Sequence, residues 1–124
     1  MGASFFKLPL NLPHAATLAV RILYQLRQGS PAPAAIEKAG NLIILLQPYR
    51  DLEDNGPDQD RPHVVAEAAR LGREIVDDIE RAGAGHDRLG QAVRNLFECL
   101  ELGEEGAALS LRAGENPGSL LRPT

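Results

Sequence analysis

The sequence predicts an all-α protein: an antiparallel four-helix arrangement of two helical hairpins behind an extended N-terminal arm. Three observations carry that expectation. Nineteen Leu and seventeen Ala stand against six Ile and five Val, and the former pair lose little side-chain freedom in a helix. From residue 13 onward, apolar side chains recur at three- and four-residue spacing in four successive stretches, the period of one helix face. Proline and glycine then punctuate the boundaries, at Gly29 to Pro33, Pro48, Gly56-Pro57, Gly83 to Gly85 and Gly103.

Residues 1–12 read as the arm. Phe6, Leu8, Leu10 and Leu12 alternate with Lys7, Pro9, Asn11 and Pro13, a period of two that places the four large apolar side chains on one face of an extended segment. Pro9 cannot donate to a ladder, so such an arm pairs fully along one edge only. It either packs over its own core or is exchanged with a second subunit.

The helical domain is expected over residues 13–113. Pro13 suits a first helical turn, and Ala15, Leu18, Ala19, Ile22, Leu23 and Leu26 make the stripe of a helix over about 13–28. The connector Ser30-Pro31-Ala32-Pro33 leads to a second helix over about 33–47, with Ala35, Ile36, Ala39, Leu42, Ile43 and Leu46 as its stripe. Taken alone, Leu42 to Leu46 also fits a buried strand; the Ala-rich lead-in and the total length favour helix. Pro48 ends or kinks it near residue 47. Residues 53–61 hold no large apolar side chain and are expected to be the most mobile internal segment.

Asp60 is placed to cap a third helix over about 62–82, whose long stripe runs from Val65 to Ala82. Leu89, Ala92, Val93, Leu96, Phe97 and Leu100 define a fourth over about 86–102, with Gly103 positioned as its stop. Ala107 to Arg112 fits a short helical turn or a strand, and residues 114–124 read as a tail.

Composition excludes several function classes. A hydrophobic fraction of 44% with 24% charged residues excludes disorder along the whole chain. The net charge of −4 excludes binding that rests on broad attraction to phosphates. One cysteine excludes an internal disulfide framework. The longest run of large apolar residues, Leu42 to Leu46, is far short of the roughly twenty a membrane span needs. Pro9, Asn11, Pro13 and Arg21 break up any signal-peptide core, and Phe6 stands where an acylation signal wants Ser or Thr. The expectation is a cytoplasmic protein. Arg outnumbers Lys eleven to two and Ala is abundant, as in GC-rich bacterial genomes.

No constellation for chemistry emerges, and neither an enzyme nor a cofactor is expected. His14, His63 and His86 each sit at or just inside a helix start, where their role is local. His63 and Glu67 share a helix face, but two ligands do not make a metal site, and none is expected. Cys99 follows Glu98, an acidic neighbourhood that raises a thiol pKa. None of Ser4, Ser30, Ser110 or Ser119 lies in a nucleophile elbow, and Gly83-x-Gly85 is no phosphate loop. On the third helix, Glu67 with Arg70, Arg70 with Glu74, Arg73 with Asp77 and Asp77 with Arg81 are spaced as a solvated, mutually paired face. Glu98, Glu101, Glu104 and Glu105 form an acidic strip at the end of the fourth helix, beside its negative pole.

The segment Lys7-Leu8-Pro9-Leu10-Asn11-Leu12-Pro13, followed by the first helix, Gly29-Ser30 and the second, resembles the ribbon-helix-helix fold of dimeric repressors and antitoxins over about residues 5–47. The resemblance implies two arms paired in an antiparallel ribbon whose polar face, here Lys7, Pro9 and Asn11, enters the DNA major groove. Proline cannot read a base edge, and one lysine is a slight electrostatic footprint. Lys7 and Asn11 are therefore the DNA contacts of an alternative reading only.

The function expected first is non-catalytic: association with protein chains, the protein itself included as a homodimer. Its candidate contacts are Phe6, Leu8, Leu10 and Leu12 as apolar anchors, with Leu18, Ile22 and Leu26 as the helical surface beneath, a face widened by Val20 and Tyr24. A further alternative is a bundle that holds a small ligand between its helices.

Overall fold

The computed structural model describes residues 9–29, 32–83 and 85–114. They form five α-helices: α1 (Leu12–Gly29), α2 (Pro33–Leu46), α3 (Arg61–Ala82), α4 (Asp87–Cys99) and α5 (Gly103–Gly114). Short 3-10 turns at Gln47–Tyr49 and Asp58–Asp60 lie between α2 and α3. No described residue lies in a strand, so the ambiguous run at Leu42 to Leu46 is helical.

Helix α1 begins one residue before its proline because Asn11 supplies the cap. Its Oδ1 accepts from the His14 N–H at 3.0 Å, satisfying one of the otherwise orphaned donors of the first turn. Helix α2 ends at Leu46, where Pro48 has no N–H to continue the ladder, and the chain tightens into a 3-10 turn that buries Tyr49.

Two expected boundaries are corrected. Asp60 does not cap α3 with its side chain: it continues the preceding 3-10 turn in helical backbone, at φ −90° and ψ −18°, whereas a capping side chain needs an extended residue. Gly103 does not stop α4 but opens α5. The stop falls two residues earlier, where the Leu102 N–H reaches the Phe97 carbonyl at 2.8 Å and the Glu101 N–H reaches that of Glu98 at 3.2 Å. This pair of bonds is a Schellman motif. The left-handed position, usually glycine, is held by Glu101 at φ 64°.

The region left open between turn and strand, 107–112, thus belongs to a full helix of 12 residues. Gly114, set with the tail by the sequence reading, is its buried last residue. Helices α1 and α2 are direct neighbours, as expected of a first hairpin. The second expected pair is bridged: α5 packs on both α3 and α4, and the ring of neighbours runs α1, α2, α3, α5, α4 and back to α1.

Phe97 fills the centre, fully buried, with its ring over Gly72 of α3 and its Cβ against Gly106 of α5. The tightest crossing is α4 on α5, where a Cβ on Gly90 would lie 2.7 Å from the Gly114 Cα and the Ser110 carbonyl oxygen.

Helix α5 also reorganises the charges of α3. Arg70 pairs with Glu67 and Glu74 along the helix, as the spacing predicts. Arg73 instead reaches Glu105 on α5, with Nη2 to Oε1 at 2.9 Å. Asp77 and Glu80 both accept from Arg112 on α5, each at 2.6 Å. Arg81 turns to Asp78, which is buried and bound by Lys38 of α2 at 2.6 Å. The face is a seam between helices. Glu104 and Glu105 lie in the first turn of α5, at its positive pole, so only Glu98 and Glu101 remain at the negative end of α4.

Candidate functional site: an apolar groove beside Leu10

The segment ahead of α1 is clamped from two sides. The Asn11 N–H donates to the Cys99 carbonyl at the end of α4, 2.9 Å away. From the other side, Asn55 accepts from the Leu12 N–H at 2.7 Å and donates through Nδ2 to the Leu10 carbonyl at 3.0 Å. The loop expected to be the most mobile internal segment is thereby tied to the bundle. Arg61 ties it again, with Nη2 on the Gly56 carbonyl at 2.9 Å and Nη1 on Asp58 at 2.7 Å.

Beside this clamp lies a groove of about 760 Å³. Its walls are Leu10, then Val65, Ala66 and Ala69 from the first turns of α3, then Leu100 and Leu102 from the turn between α4 and α5. Asp58, Arg61, Arg73 and Glu101 stand at its margins. Both arginines are engaged, Arg61 by Asp58 and Gly56 and Arg73 by Glu105. The Arg73 guanidinium in turn holds the Glu105 carboxyl below the usual carboxylate range. The Nε of Arg61 is buried without an acceptor. No His, Cys, Ser, Thr or Tyr is among the described lining residues, whose polar members are Asp58, Arg61, Arg73 and Glu101.

One backbone outlier borders it. Glu101 in left-handed conformation carries about 1 kcal/mol of strain that glycine would not. Among the described residues its carboxylate has no salt-bridge partner, although it stands at the groove's edge.

Of the residues singled out for association, Phe6, Lys7 and Leu8 lie outside the described residues. Leu10 is half-buried and lines the groove. Leu12, Leu18, Ile22 and Leu26 are all buried among the chain's own helices. They offer no surface to a partner in this arrangement, because α2 and α4 already cover that face of α1. Val20 and Tyr24 point the other way and are exposed. Asn11, the second DNA candidate, spends its side chain on the α1 cap.

Sequence reasoning missed the α3 wall. The signal was there: Pro62, Ala66, Ala69 and Arg73, at i, i+4, i+7 and i+11, share one helix edge that borders the core stripe and overlaps it at Ala69.

The remaining chemistry-bearing residues do not converge. His86 caps α4, its Nδ1 accepting from the Leu89 N–H at 3.3 Å. Cys99 is buried, and burial first, then the charge of Glu98, pushes its thiol up to about 11. Among the described residues no three His, Cys, Asp or Glu side chains are grouped to hold a metal ion, and no helix is long and apolar enough to cross a membrane. No family model, no curated protein and no solved structure matches the chain.

Proposed function

We propose that this is a small non-catalytic helical protein that works by association with protein chains, a second copy of itself among them, and that the groove beside Leu10 is its docking surface. The carrying observation is continuity. Leu10 is both a wall of the groove and the third of the alternating apolar residues Phe6, Leu8 and Leu10. An apolar segment of this pattern and an apolar groove of matching chemistry thus meet at one residue. Segments of alternating polarity dock by sending every second side chain into such a surface.

The test is the solution mass of the protein by light scattering over a concentration series, beside Ala66→Asp and Ala66→Arg at an exposed position of the groove wall. Expected is a dimer at high concentration that reverts to monomer when a charge enters the groove. A monomer at every concentration overturns self-association. A dimer indifferent to both substitutions removes the groove from it.

A further inference from the structure

We infer that the groove takes the outer face of α1 from a second copy, with Tyr24 seated among the apolar walls and Arg21 and Arg27 turned to the carboxylate of Glu101. This rests on the reading of the groove as a docking surface and names what enters it. Three observations carry it.

The first is the charge left over at the groove. Of its four charged margin residues, Arg61 is held by Asp58 at 2.7 Å and Arg73 by Glu105 at 2.9 Å. Glu101 is exposed and stands in no ion pair among the described residues. An apolar surface rimmed by one uncompensated carboxylate favours an apolar segment that brings a cation and disfavours one that brings an anion.

The second is that the chain itself carries this chemistry on one described surface. Val20 and Tyr24 are 44% and 58% exposed. With Arg27 they stand at i, i+4 and i+7, one line along α1, and Arg21 lies beside it. Neither arginine is in an ion pair among the described residues. Helix α1 holds no acidic residue, and the first in the sequence is Glu37. A positive apolar face thus stands on a chain whose net charge is −4. The other exposed apolar side chains lack the combination. Leu52 is flanked by Asp51 and Glu53, and the arginine beside Leu111, Arg112, is bound by Asp77 and Glu80.

The third is fit. The groove follows α3 from Arg61 to Arg73, a rise of about 18 Å, and the line from Val20 to Arg27 rises about 10 Å. The α1 face therefore lies within the groove's length. Tyrosine suits such a seat, with its ring on apolar walls and its hydroxyl toward the wet margin.

Within one copy Tyr24 stays exposed, so the contact is made between copies. The two faces differ, which makes the contact heterologous. One intact groove and one intact α1 face are then enough to join two chains.

The experiment is light scattering on Ala66→Asp, which spoils the groove, on Tyr24→Asp, which spoils the α1 face, and on an equal mixture of the two, at a concentration where the parent associates. Asn41→Asp places the same charge on exposed α2 surface as a control, and circular dichroism confirms helical folding of each variant. The expected result is a monomer for each of the first two, no change in the control, and a dimer in the mixture, where Tyr24→Asp supplies the groove and Ala66→Asp the face. Glu101→Gln should weaken association about two- to five-fold, as for an exposed ion pair. A mixture that stays monomeric overturns the inference and leaves the groove to another part of the second copy. Association that survives Tyr24→Asp but not Ala66→Asp removes the α1 face and keeps the proposed docking surface. The opposite pattern removes the groove, and the proposed docking surface with it. Loss of association in the control overturns the inference in favour of general charge repulsion, and a parent that is monomeric at every concentration overturns it together with self-association.

Discussion

Asn55 bonds the Leu12 backbone N–H at 2.7 Å across 43 residues of sequence, and the same side chain holds the Leu10 carbonyl. One amide thus supplies an acceptor and a donor to the two backbone groups that flank Asn11. Asn55→Ala removes both bonds and should destabilise the fold by about 2 kcal/mol, two net hydrogen bonds in a part-buried site. Asn55→Asp keeps the acceptor and should cost less. Denaturant unfolding measures both, and amide exchange at residues 10–12 should accelerate more in the alanine variant.

Two glycine-to-alanine substitutions should move stability in opposite directions. A Cβ on Gly40 meets nothing within 4 Å, so Gly40→Ala in mid-helix should stabilise by about 0.5–1 kcal/mol through helix propensity. A Cβ on Gly90 meets backbone of α5 at 2.7 Å, which can yield only if the helices part. Gly90→Ala should destabilise by about 3 kcal/mol or more, the upper end for overpacking. Thermal melts of the two variants beside the parent test the sign.

Glu101→Gly should stabilise by about 0.5–1 kcal/mol, since glycine adopts the left-handed C-terminal position without a Cβ clash. If the carboxylate also serves the groove, the more stable variant should associate less well. Unfolding midpoints and light scattering on one preparation separate the two effects.

Stability should be flat from pH 7 to about 5 and fall at more acid pH. Hydrogen bonds from Arg70, Arg112 and Arg73 hold the carboxyls of Glu67, Glu80 and Glu105, respectively, below their ordinary range. A carboxylate whose folded pKa is depressed contributes fully above its unfolded pKa, about 4.3 for Glu, and its contribution disappears as pH falls through the folded value. These pairs are exposed, so 0.5 M salt should shallow the acid limb. Arg112→Gln should shallow it too, by freeing Glu80, and a pH series of denaturant melts reads both.

The helical class and most helix starts were legible because they rest on local rules. The stripe of α1, the break at Pro48 and the pairing of Arg70 with Glu67 and Glu74 all follow from spacing within one element. What escaped depends on the tertiary fold. Gly103 reads as a stop, yet the chain turns at Glu101, a residue that carries no turn signal and adopts its conformation because α5 must fold back onto Phe97. The partners of Arg73 and Asp77 lie on α5, over 30 residues away, so no i,i+4 rule could find them. The candidate site divides the same way. Leu10 was identified by its alternation, whereas Val65 and Ala69 of the α3 wall were absorbed into the core stripe, and Asn55 lay in the segment expected to be the most mobile.

The order of the ring also constrains how the chain acquires its fold during synthesis. Helix α4 follows α3 in sequence but reaches it mainly through α5, the last of the described helices to be made. Until residues 103–114 have emerged, Phe97 lacks the glycine-bearing helix that closes over it, and Arg73, Asp77 and Glu80 have no partners. The growing chain is until then a set of incomplete hairpins with apolar surface open to other proteins, and folding becomes cooperative only once α5 is present. A stop codon that removes α5 should produce an aggregation-prone fragment, although it deletes only 12 residues of the bundle.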